Sequence, residues 1–394
     1  MTHQEEKSTK IDAVLELLSD HGFDGMANAI GVLMNEAMKI ERQEFLGAGP
    51  YERTEGRQGY SNGFKQRVFQ SRAGSVELAI PQVRAKSGEE PLSFYPRSLE
   101  KGLRSERALK LSIAEMFVQG VSTRKVESIT KELCGLDVTS TQVSRCAKLL
   151  DDELEQWRER PLGEVPYLIL DARYEKVRHG GSVVNVAVLI AMGVRNDGKR
   201  TVLGVSVSLS EAEVHWRQFL ESLQDRGLHG IQAVTSDDHS GLKAAIAARM
   251  PGVIWNRCQV HLQRNATHHV PRNEMRGKVA ADLRAVFCAQ DQREADDKLK
   301  AMVARYQKSA PKLADWLESD VPEGLAVFGL PEAHRKRMRT SNSIERLNRE
   351  VKRRTRVATL FPNEASLLRL VSAVLAEVSE EWESGKVYLT MENR

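Results

Sequence analysis

Cysteine is scarce in this sequence, and no two cysteines form a Cys-x-x-Cys pair. The 394 residues include four cysteines, at positions 134, 146, 258 and 288. A disulfide scaffold is therefore not expected, and a reducing cytoplasm is the predicted compartment. The 27 glycines and 12 prolines together make about a tenth of the chain, which excludes a collagen-like or low-complexity protein.

Long hydrophobic runs are also lacking. The longest uncharged apolar run, residues 180–194, is too short and too polar to cross a bilayer. No apolar run follows the charged first ten residues, so a signal peptide is not expected. Walker A and Gly-x-Gly-x-x-Gly motifs do not occur, so nucleotide binding is not predicted. These features predict a soluble cytoplasmic protein without a membrane partner.

Positive charge is concentrated in two segments, although the formal net charge is only +4. Residues 335–356 contain ten Lys or Arg and two acids. Residues 51–72 contain five Lys or Arg and two acids, interleaved with four aromatic residues. Such patches suit the phosphates of a nucleic acid. A solvated helix face is the alternative interpretation for either segment.

Hydrophobic periodicity indicates several kinds of structure along the chain. Two helices are predicted before residue 46, and a small β-hairpin is predicted from runs at 67–70 and 75–80, with a turn at Gly74. From Pro166 onward, strands alternate with helices, and Asn196-Asp-Gly198 predicts a hairpin turn. Residues 257–332 are mostly helical in pattern. The predicted class is therefore α/β with added α-helical regions.

Residues 105–160 have the pattern of a helix-turn-helix. Short polar residues suitable as helix caps occur at 122–123 and 139–140, and Gly135 separates the second and third helices. A third helix with exposed polar and basic residues near its start is what reading a DNA groove requires. An ordinary three-helix bundle that binds nothing is the alternative. The predicted DNA contacts of this region are Arg124, Gln142, Arg145 and Lys148.

Acidic residues follow two predicted strands and lie on one basic helix. A buried strand at 167–170 is predicted to end at Asp171, and a second strand at 231–236 is predicted to end at Asp237. In open α/β sheets, ligands bind outside the carboxyl ends of the strands. The third acid, Glu345, shares a helical face with residues at i+3, i+4 and i+7, namely Asn348, Arg349 and Lys352.

Three carboxylates among basic residues suit Mg²⁺, which prefers oxygen ligands, and Mn²⁺ is a possible substitute. Two such ions can stabilise the attacking and leaving oxygens of a phosphodiester displacement. The spacing alone leaves alternatives open. An Asp after a strand can start a loop or cap a helix, and Asn342-Ser-Ile-Glu345 has the spacing of a capping box.

Four segments, in order along the chain, resemble the mutator-type DDE transposases of bacterial insertion sequences. They are residues 167–178, 235–242, 258–265 and 340–354, and Arg53 with Gly59-Tyr-Ser-Asn-Gly63 is similar to that family's N-terminal region. The resemblance implies an RNase H-like core with a mixed sheet, an all-helical insertion, and Mg²⁺-dependent strand cleavage and joining. It maps the catalytic, metal-binding triad onto Asp171, Asp237 and Glu345. Asp238 departs from the family pattern, which more usually has a small residue there, but the strand register favours Asp237.

The resemblance also implies a domain organisation. The predicted regions are N-terminal helices at 1–48, a basic β and loop region at 49–104, the helix-turn-helix at 105–160, the first part of the core at 161–257, the helical insertion at 258–335, and the last part of the core at 336–394. The implied function is that of a transposase that binds terminal inverted repeats as a homodimer on DNA, associated with the nucleoid. An inactive, transposase-derived DNA-binding protein is the alternative.

Two further sets of residues complete the prediction. Basic residues around Glu345 are expected to hold DNA phosphates, and they are Arg346, Arg349, Lys352 and Arg353. Cys258 and His261 resemble the family's Cys-x2-His motif, for which we expect a structural or DNA-proximal role where the core meets the insertion. A zinc site there would need two more ligands, for which only His268 and His269 are candidates, at odd spacing.

Overall fold

The computed structural model describes residues 2–88, 90–101, 104–356 and 360–391, with the backbone alone for residues 2–9. The chain divides into two compact units. One comprises residues 1–117 with 121–149, and the other comprises residues 118–120 with 150–394. No helix among the described residues is both long and apolar enough to span a bilayer.

The first unit combines two long helices, a β-hairpin and three shorter helices. Its elements are α1 (Thr2–His21), α2 (Met26–Leu46), β1 (Gly59–Ser71), β2 (Gly74–Ala85), α3 (Arg107–Val118), α4 (Thr123–Cys134) and α5 (Ser140–Ala147). The predicted hairpin is confirmed, with the turn at Gly74, whose φ is +115°. Both strands are longer than predicted. The pattern did not predict the first part of β1, residues 59–66, because these residues are largely exposed and lack apolar alternation. α2 packs on β2 around Met38 and Leu78.

The boundaries of α4 and α5 follow the predicted capping residues. Ser122 Oγ accepts a hydrogen bond from Lys125 N at 3.2 Å at the start of α4. Gly135 ends α4 in the left-handed conformation, with φ +63°. Thr139 begins α5 as part of a capping box. The buried residues of α5 are Val143, Cys146 and Ala147.

The second unit is built on a five-stranded mixed sheet. Its elements are α6 (Asp151–Glu159), β3 (Tyr167–His179), β4 (Ser182–Val194), β5 (Arg200–Ser208), α7 (Glu213–Asp225), β6 (Ala233–Ser236), α8 (Ser240–Arg249), β7 (Ile254–Arg257), α9 (Gln259–Ala266), α10 (Arg276–Phe287), α11 (Gln292–Tyr306), α12 (Pro311–Asp320), α13 (Glu332–Met338), α14 (Asn342–Thr355) and α15 (Glu364–Ser384). The strand order is β5-β4-β3-β6-β7. β5, β4 and β3 are antiparallel neighbours, whereas β6 and β7 run parallel to β3.

The central strand β3 corrects one prediction. Residues 167–170 were expected to form a strand ending at Asp171, but β3 continues to His179 and pairs with β4 throughout. The polar residues after position 171 obscured this extension. The Gly180-Gly181 pair, with φ values of +56° and +84°, makes the two-residue turn into β4, and Gly-Gly between two strand patterns is a hairpin signal. Asp171 therefore lies inside a strand rather than at its end.

Helices cover the sheet of the second unit and form the segment before α14. One buried cluster joins Leu168 and Leu170 of β3 to Trp216 and Leu220 of α7 and to Leu242 of α8. α15 packs against β5. Between β7 and α14 the chain forms only helices and short connections, α9 to α13. The mostly helical pattern predicted for residues 257–332 is therefore confirmed.

Candidate active site

Asp171 lies on the central strand β3, where its carboxylate is held by two hydrogen bonds. Ala172 N donates to Oδ1 at 3.0 Å, and Asn348 Nδ2 of α14 donates to Oδ2 at 2.7 Å. Burial raises the pKa of Asp171 to about 7, and the neighbouring charges of Asp237 and Glu345 also raise it. Asp171 thus lies within electrostatic range of both Asp237 and Glu345.

Asp237 follows β6 directly, and strand register brings it beside Asp171. The parallel ladder pairs Tyr167 with Ala233 and Ile169 with Thr235. Two residues further along, the same register makes Asp171 level with Asp237. Because neighbouring strands lie about 4.8 Å apart and residues two apart share a face, both carboxylates are on one side of the sheet.

The third predicted acid, Glu345, lies in the first turn of α14. Its Oε1 atom is buried and makes no hydrogen bond. It lies 3.6 Å from His261 Nε2 and 3.7 Å from Arg264 Nη1. The capping-box alternative is wrong, because α14 begins at the N-cap Ser341 without any side-chain cap. Glu345 thus contacts His261 and Arg264 of α9 rather than its own helix end.

Cys258 joins the start of α9 to the start of α14. Its buried Sγ accepts hydrogen bonds from Ser341 N at 3.3 Å and from Ser341 Oγ at 3.2 Å. Burial raises the pKa of the Cys258 thiol, but hydrogen bonds with His261 and Ser341 outweigh this and lower it. The same interaction with Cys258 raises the pKa of His261. His269 stacks on Trp316 with ring centroids 5.2 Å apart, and α9 has already ended at Ala266.

Asp238 is engaged elsewhere, which distinguishes it from Asp237. Its carboxylate lies 3.1 Å from Arg257 Nη1 and 3.3 Å from Lys243 Nζ. The side chain of Arg257 is only 3% exposed, and Nη1 also contacts Asp320 at 2.8 Å and Glu323 at 3.0 Å. We call Arg257, Asp238, Asp320, Glu323 and Lys243 the Arg257 network. It ties β7 to α12 and leaves Asp237 as the acid that faces Asp171.

A groove of about 600 Å³ opens beside Glu345. Its lining contains more cations than acids, and the residues are Arg173, Tyr174, Glu175, His261, Arg264, Glu345, Asn348, Arg349, Lys352, Thr355 and Arg356. Arg349 and Lys352 are exposed and make no ion pair with any described residue. The groove thus places Glu345 beside a positively charged wall.

The other two predicted phosphate contacts of α14 do not line this groove. Arg353 forms two hydrogen bonds with Glu350, at 3.0 and 2.7 Å. Arg346 lines a separate cavity of about 410 Å³ between α14 and α15. The structure therefore brings Arg349 and Lys352, but not Arg346 and Arg353, together with Glu345.

Comparison with known proteins identifies the family. A family model described as "Transposase, Mutator family" matches residues 1–385. The chain belongs to the Mutator family of transposases. It is 53% identical to the transposase for insertion sequence element IS406 of Burkholderia multivorans, over 97% of this chain and 98% of that protein. It is 42% identical to the transposase for ISRM5 of Rhizobium meliloti, over 100% and 97%. It is 36% identical to the transposase for IS256 in transposon Tn4001 of Staphylococcus aureus, over 95% of each chain.

Sequence reasoning missed a further carboxylate of this Mutator-family protein, Glu211, which lies within electrostatic range of Asp237. Glu211 stands between β5 and α7 with its side chain 12% exposed. Burial raises the pKa of Glu211, and the charge of Asp237 raises it further. Its carboxylate lies 4.0 Å from His239 Nδ1. Glu211 follows β5 closely, as Asp237 follows β6, and an acid after a strand was the available signal.

The predicted DNA contacts of the first unit lie on α4 and α5 of this family member. Arg145 is exposed on α5, Lys148 is exposed directly after the end of α5, and Arg124 is exposed in the first turn of α4. Gln142 is partly committed to the capping box, because its Oε1 accepts a hydrogen bond from Thr139 N at 2.7 Å. Arg145 is therefore the most available long side chain on this face of α5.

Replacement of Asp171 by Asn is expected to stabilise the protein in the absence of divalent metal. The pKa of the folded-state carboxyl, about 7, exceeds its ordinary value of 3.8, so folding favours the protonated form. The ionised form therefore destabilises the fold increasingly as pH rises from about 4 to about 7. At 1.36 kcal/mol per pKa unit, we expect a gain of roughly 2–4 kcal/mol at pH 8.

Urea unfolding in EDTA measures this effect. The gain should be small near pH 4, where the folded-state carboxyl is protonated and the unfolded-state carboxyl is only about half ionised. Asp297→Asn, which removes an exposed acid of α11, is the control and should change stability by less than about 0.5 kcal/mol. Equal stability of Asp171→Asn and wild type at pH 8 would contradict the assigned cost of burying this charge.

Proposed function

We propose that this protein is an active transposase that binds the terminal inverted repeats of an insertion sequence and catalyses Mg²⁺-dependent DNA cleavage and strand transfer. The observation that carries the proposal is that Asp171 of β3 is level with the position of Asp237 after β6 and within electrostatic range of Glu345, which lines a basic groove. The printed names of the relatives support the same activity.

The proposal includes an RNase H-like core. Its support is the strand order β5-β4-β3-β6-β7, in which three antiparallel strands are followed by two strands parallel to the central one. The acids stand on the central strand β3 and after its neighbour β6. Residues 258–335 then form the helical insertion that precedes the last acid.

The side chains present fit a hard divalent cation such as Mg²⁺ or Mn²⁺. The triad supplies only oxygen donors, and Glu345 Oε1 and Asn348 Oδ1 are buried without a hydrogen-bond partner. Among the described residues no three acidic, His or Cys side chains already have metal-ligand spacing, so the carboxylates would turn toward the ion. Bound ions would stabilise the attacking and leaving oxygens of the phosphodiester displacement.

Other residues of the site hold the acids and the DNA. Asn348 fixes the rotamer of Asp171 through its hydrogen bond to Oδ2. His261 and Arg264 offset the charge of Glu345 from the other side. Arg349 and Lys352 would bind phosphates that flank the scissile bond, because they are exposed cations on the groove wall.

We also propose that α4 and α5 form a DNA-binding helix-turn-helix, with α5 in the major groove. The support is the short connection, residues 135–139, and the exposed polar face of α5. Because joining two ends requires two active sites, we propose that the protein acts on DNA as a homodimer. Leu33 and Ile40 of α2, which are 54% and 47% exposed, offer an apolar face for such pairing.

Arg145→Ala is expected to relax the preference for the inverted repeat. A bidentate contact between Arg and a base edge contributes about 1–3 kcal/mol of discrimination, so the affinity ratio of specific to scrambled duplex should fall by the corresponding factor. Lys131→Ala is the control, because Lys131 is exposed on α4 but pairs with Asp137 at 2.9 Å. If the affinity ratio of specific to scrambled duplex is unchanged at constant salt, Arg145 does not read the base sequence.

The direct test of the proposed function is a cleavage assay on DNA that carries the sequence flanking the protein's own gene. We expect Mg²⁺-dependent nicking at the element end and joining of that end to a second duplex. Specific binding without cleavage in Mg²⁺ or Mn²⁺ would instead support the inactive DNA-binding alternative. Absence of both would contradict the proposal.

A further inference from the structure

The β1–β2 hairpin exposes one of its strands over most of its length. In β1 only the first and last residues, Gly59 and Ser71, are buried, whereas β2 alternates buried residues that pack on α2. Tyr60, Phe64 and Val68 of β1 are 42%, 44% and 56% exposed. Among the described residues, the other edge of β1 is paired only near its end, where Gln70 bridges to Ser105, and residues 60–69 have no strand partner on that edge. The outer strand of this hairpin is an open surface.

This surface carries a strong excess of positive charge. Residues 57–86 contain six Lys or Arg and one acid, Glu77. Arg72 is paired with Glu106 at 2.6 Å. Within the part of the chain that the structure describes, Arg57, Lys65 and Arg84 have no carboxylate partner. The groups that would neutralise them must come from a bound molecule or from solvent ions.

Two aromatic rings of β1, those of Tyr60 and Phe64, make cation–π contacts with arginines. The guanidinium of Arg57 lies 5.1 Å from the centroid of the Tyr60 ring, and that of Arg84 lies 5.7 Å from it. The guanidinium of Arg42 lies 4.8 Å from the Phe64 ring. Stacking on a ring restricts a long side chain before any ligand arrives. The arginines are therefore partly ordered for binding an anion.

We propose that the outer surface of the β1–β2 hairpin binds duplex DNA through its phosphates, with Arg57, Lys65 and Arg84 as the contacts. This inference rests on the proposed function, which makes DNA the partner, and adds a surface separate from α5 and from the catalytic groove. A two-stranded ribbon has dimensions that a major groove accepts. A Lys on an edge strand also disfavours addition of a protein strand, so DNA suits this surface better than a protein does.

Fluorescence anisotropy of the full chain with a duplex of random sequence tests the proposal. Removal of one phosphate contact lowers the slope of log affinity against log salt by about 0.9. We expect this loss for Lys65→Gln and a larger one for the double variant Arg57→Gln, Arg84→Gln, equally on random and on specific duplexes. Arg72→Gln is the matched control, since it removes the same charge from the same hairpin at a paired position.

The outcomes separate this surface from the proposed chemistry. Wild-type binding with normal Mg²⁺-dependent cleavage, but unchanged salt slopes in both variants, would overturn the inference and leave the proposed function intact. Unchanged slopes together with loss of self-association in light scattering would assign the surface to a protein partner and would also overturn it. The double variant removes two arginines that stack on Tyr60, so it could lower the thermal stability of the hairpin. In that case the salt slope of Lys65→Gln decides the outcome, because Lys65 stacks on neither ring.

Discussion

Asp171→Asn, Asp237→Asn and Glu345→Gln are each expected to abolish cleavage and strand transfer while leaving duplex affinity largely unchanged. Loss of a residue that only supports a metal ligand costs about 10–100-fold, so loss of a ligand should cost more than about 100-fold. DNA affinity should persist because it depends on the basic groove and on the first unit. Cleavage rates in Mg²⁺ and anisotropy on the same duplex measure the two effects.

Asp238→Asn is the matched control, because it makes the same acid-to-amide change one residue away. Asp238 faces Arg257 and Lys243, so we expect a much smaller loss of cleavage than for Asp237→Asn. If Asp237→Asn is fully active and Asp238→Asn is inactive, Asp238 rather than Asp237 is the metal ligand. Substantial cleavage by Glu345→Gln would remove Glu345 from the triad.

Arg257→Gln is expected to cause the largest loss of stability among single substitutions of charged residues. Arg257 is nearly inaccessible and contacts three carboxylates within 3.1 Å. Its removal leaves these acids to repel one another, and breaking a buried ion pair in this way costs about 3–5 kcal/mol. Urea unfolding at neutral pH measures the change in the free energy of unfolding.

Arg249→Gln provides the comparison for this substitution. Arg249 pairs with Glu221 at 2.5 Å, but both side chains are substantially exposed. Exposed pairs of this kind contribute up to about 1 kcal/mol, so this variant should remain close to wild type. Similar stability losses for Arg257→Gln and Arg249→Gln would show that the Arg257 network does not hold α12 to β7.

Local patterns in the sequence predicted most elements of both units. Apolar runs located β4 and β6, and short polar residues at 122 and 139 located the starts of α4 and α5. These signals succeed because capping and burial depend on neighbours in sequence. β3 was predicted too short because its second half is polar on the exposed side, and only its pairing with β4 defines its length.

The contacts that organise the site were less accessible to sequence reasoning. The spacing on α14 placed Asn348 and Arg349 beside Glu345, because both lie within one helical turn of it. Nothing in the spacing showed that Arg257 gathers acids from positions 238, 320 and 323. Such contacts join residues distant in sequence, so they depend on how the helices pack on the sheet.

The helical segment between β7 and α14 begins and ends at one place. Cys258 Sγ contacts Ser341, and Gln259 N donates to Arg339 O at 3.0 Å, so two points more than 80 residues apart in sequence are fastened together. The first and last residues of the helical segment are therefore hydrogen-bonded to each other, and we call these contacts its base. Growth, shrinkage or exchange of the intervening helices during evolution would leave the position of Glu345 unchanged, provided that this base is kept.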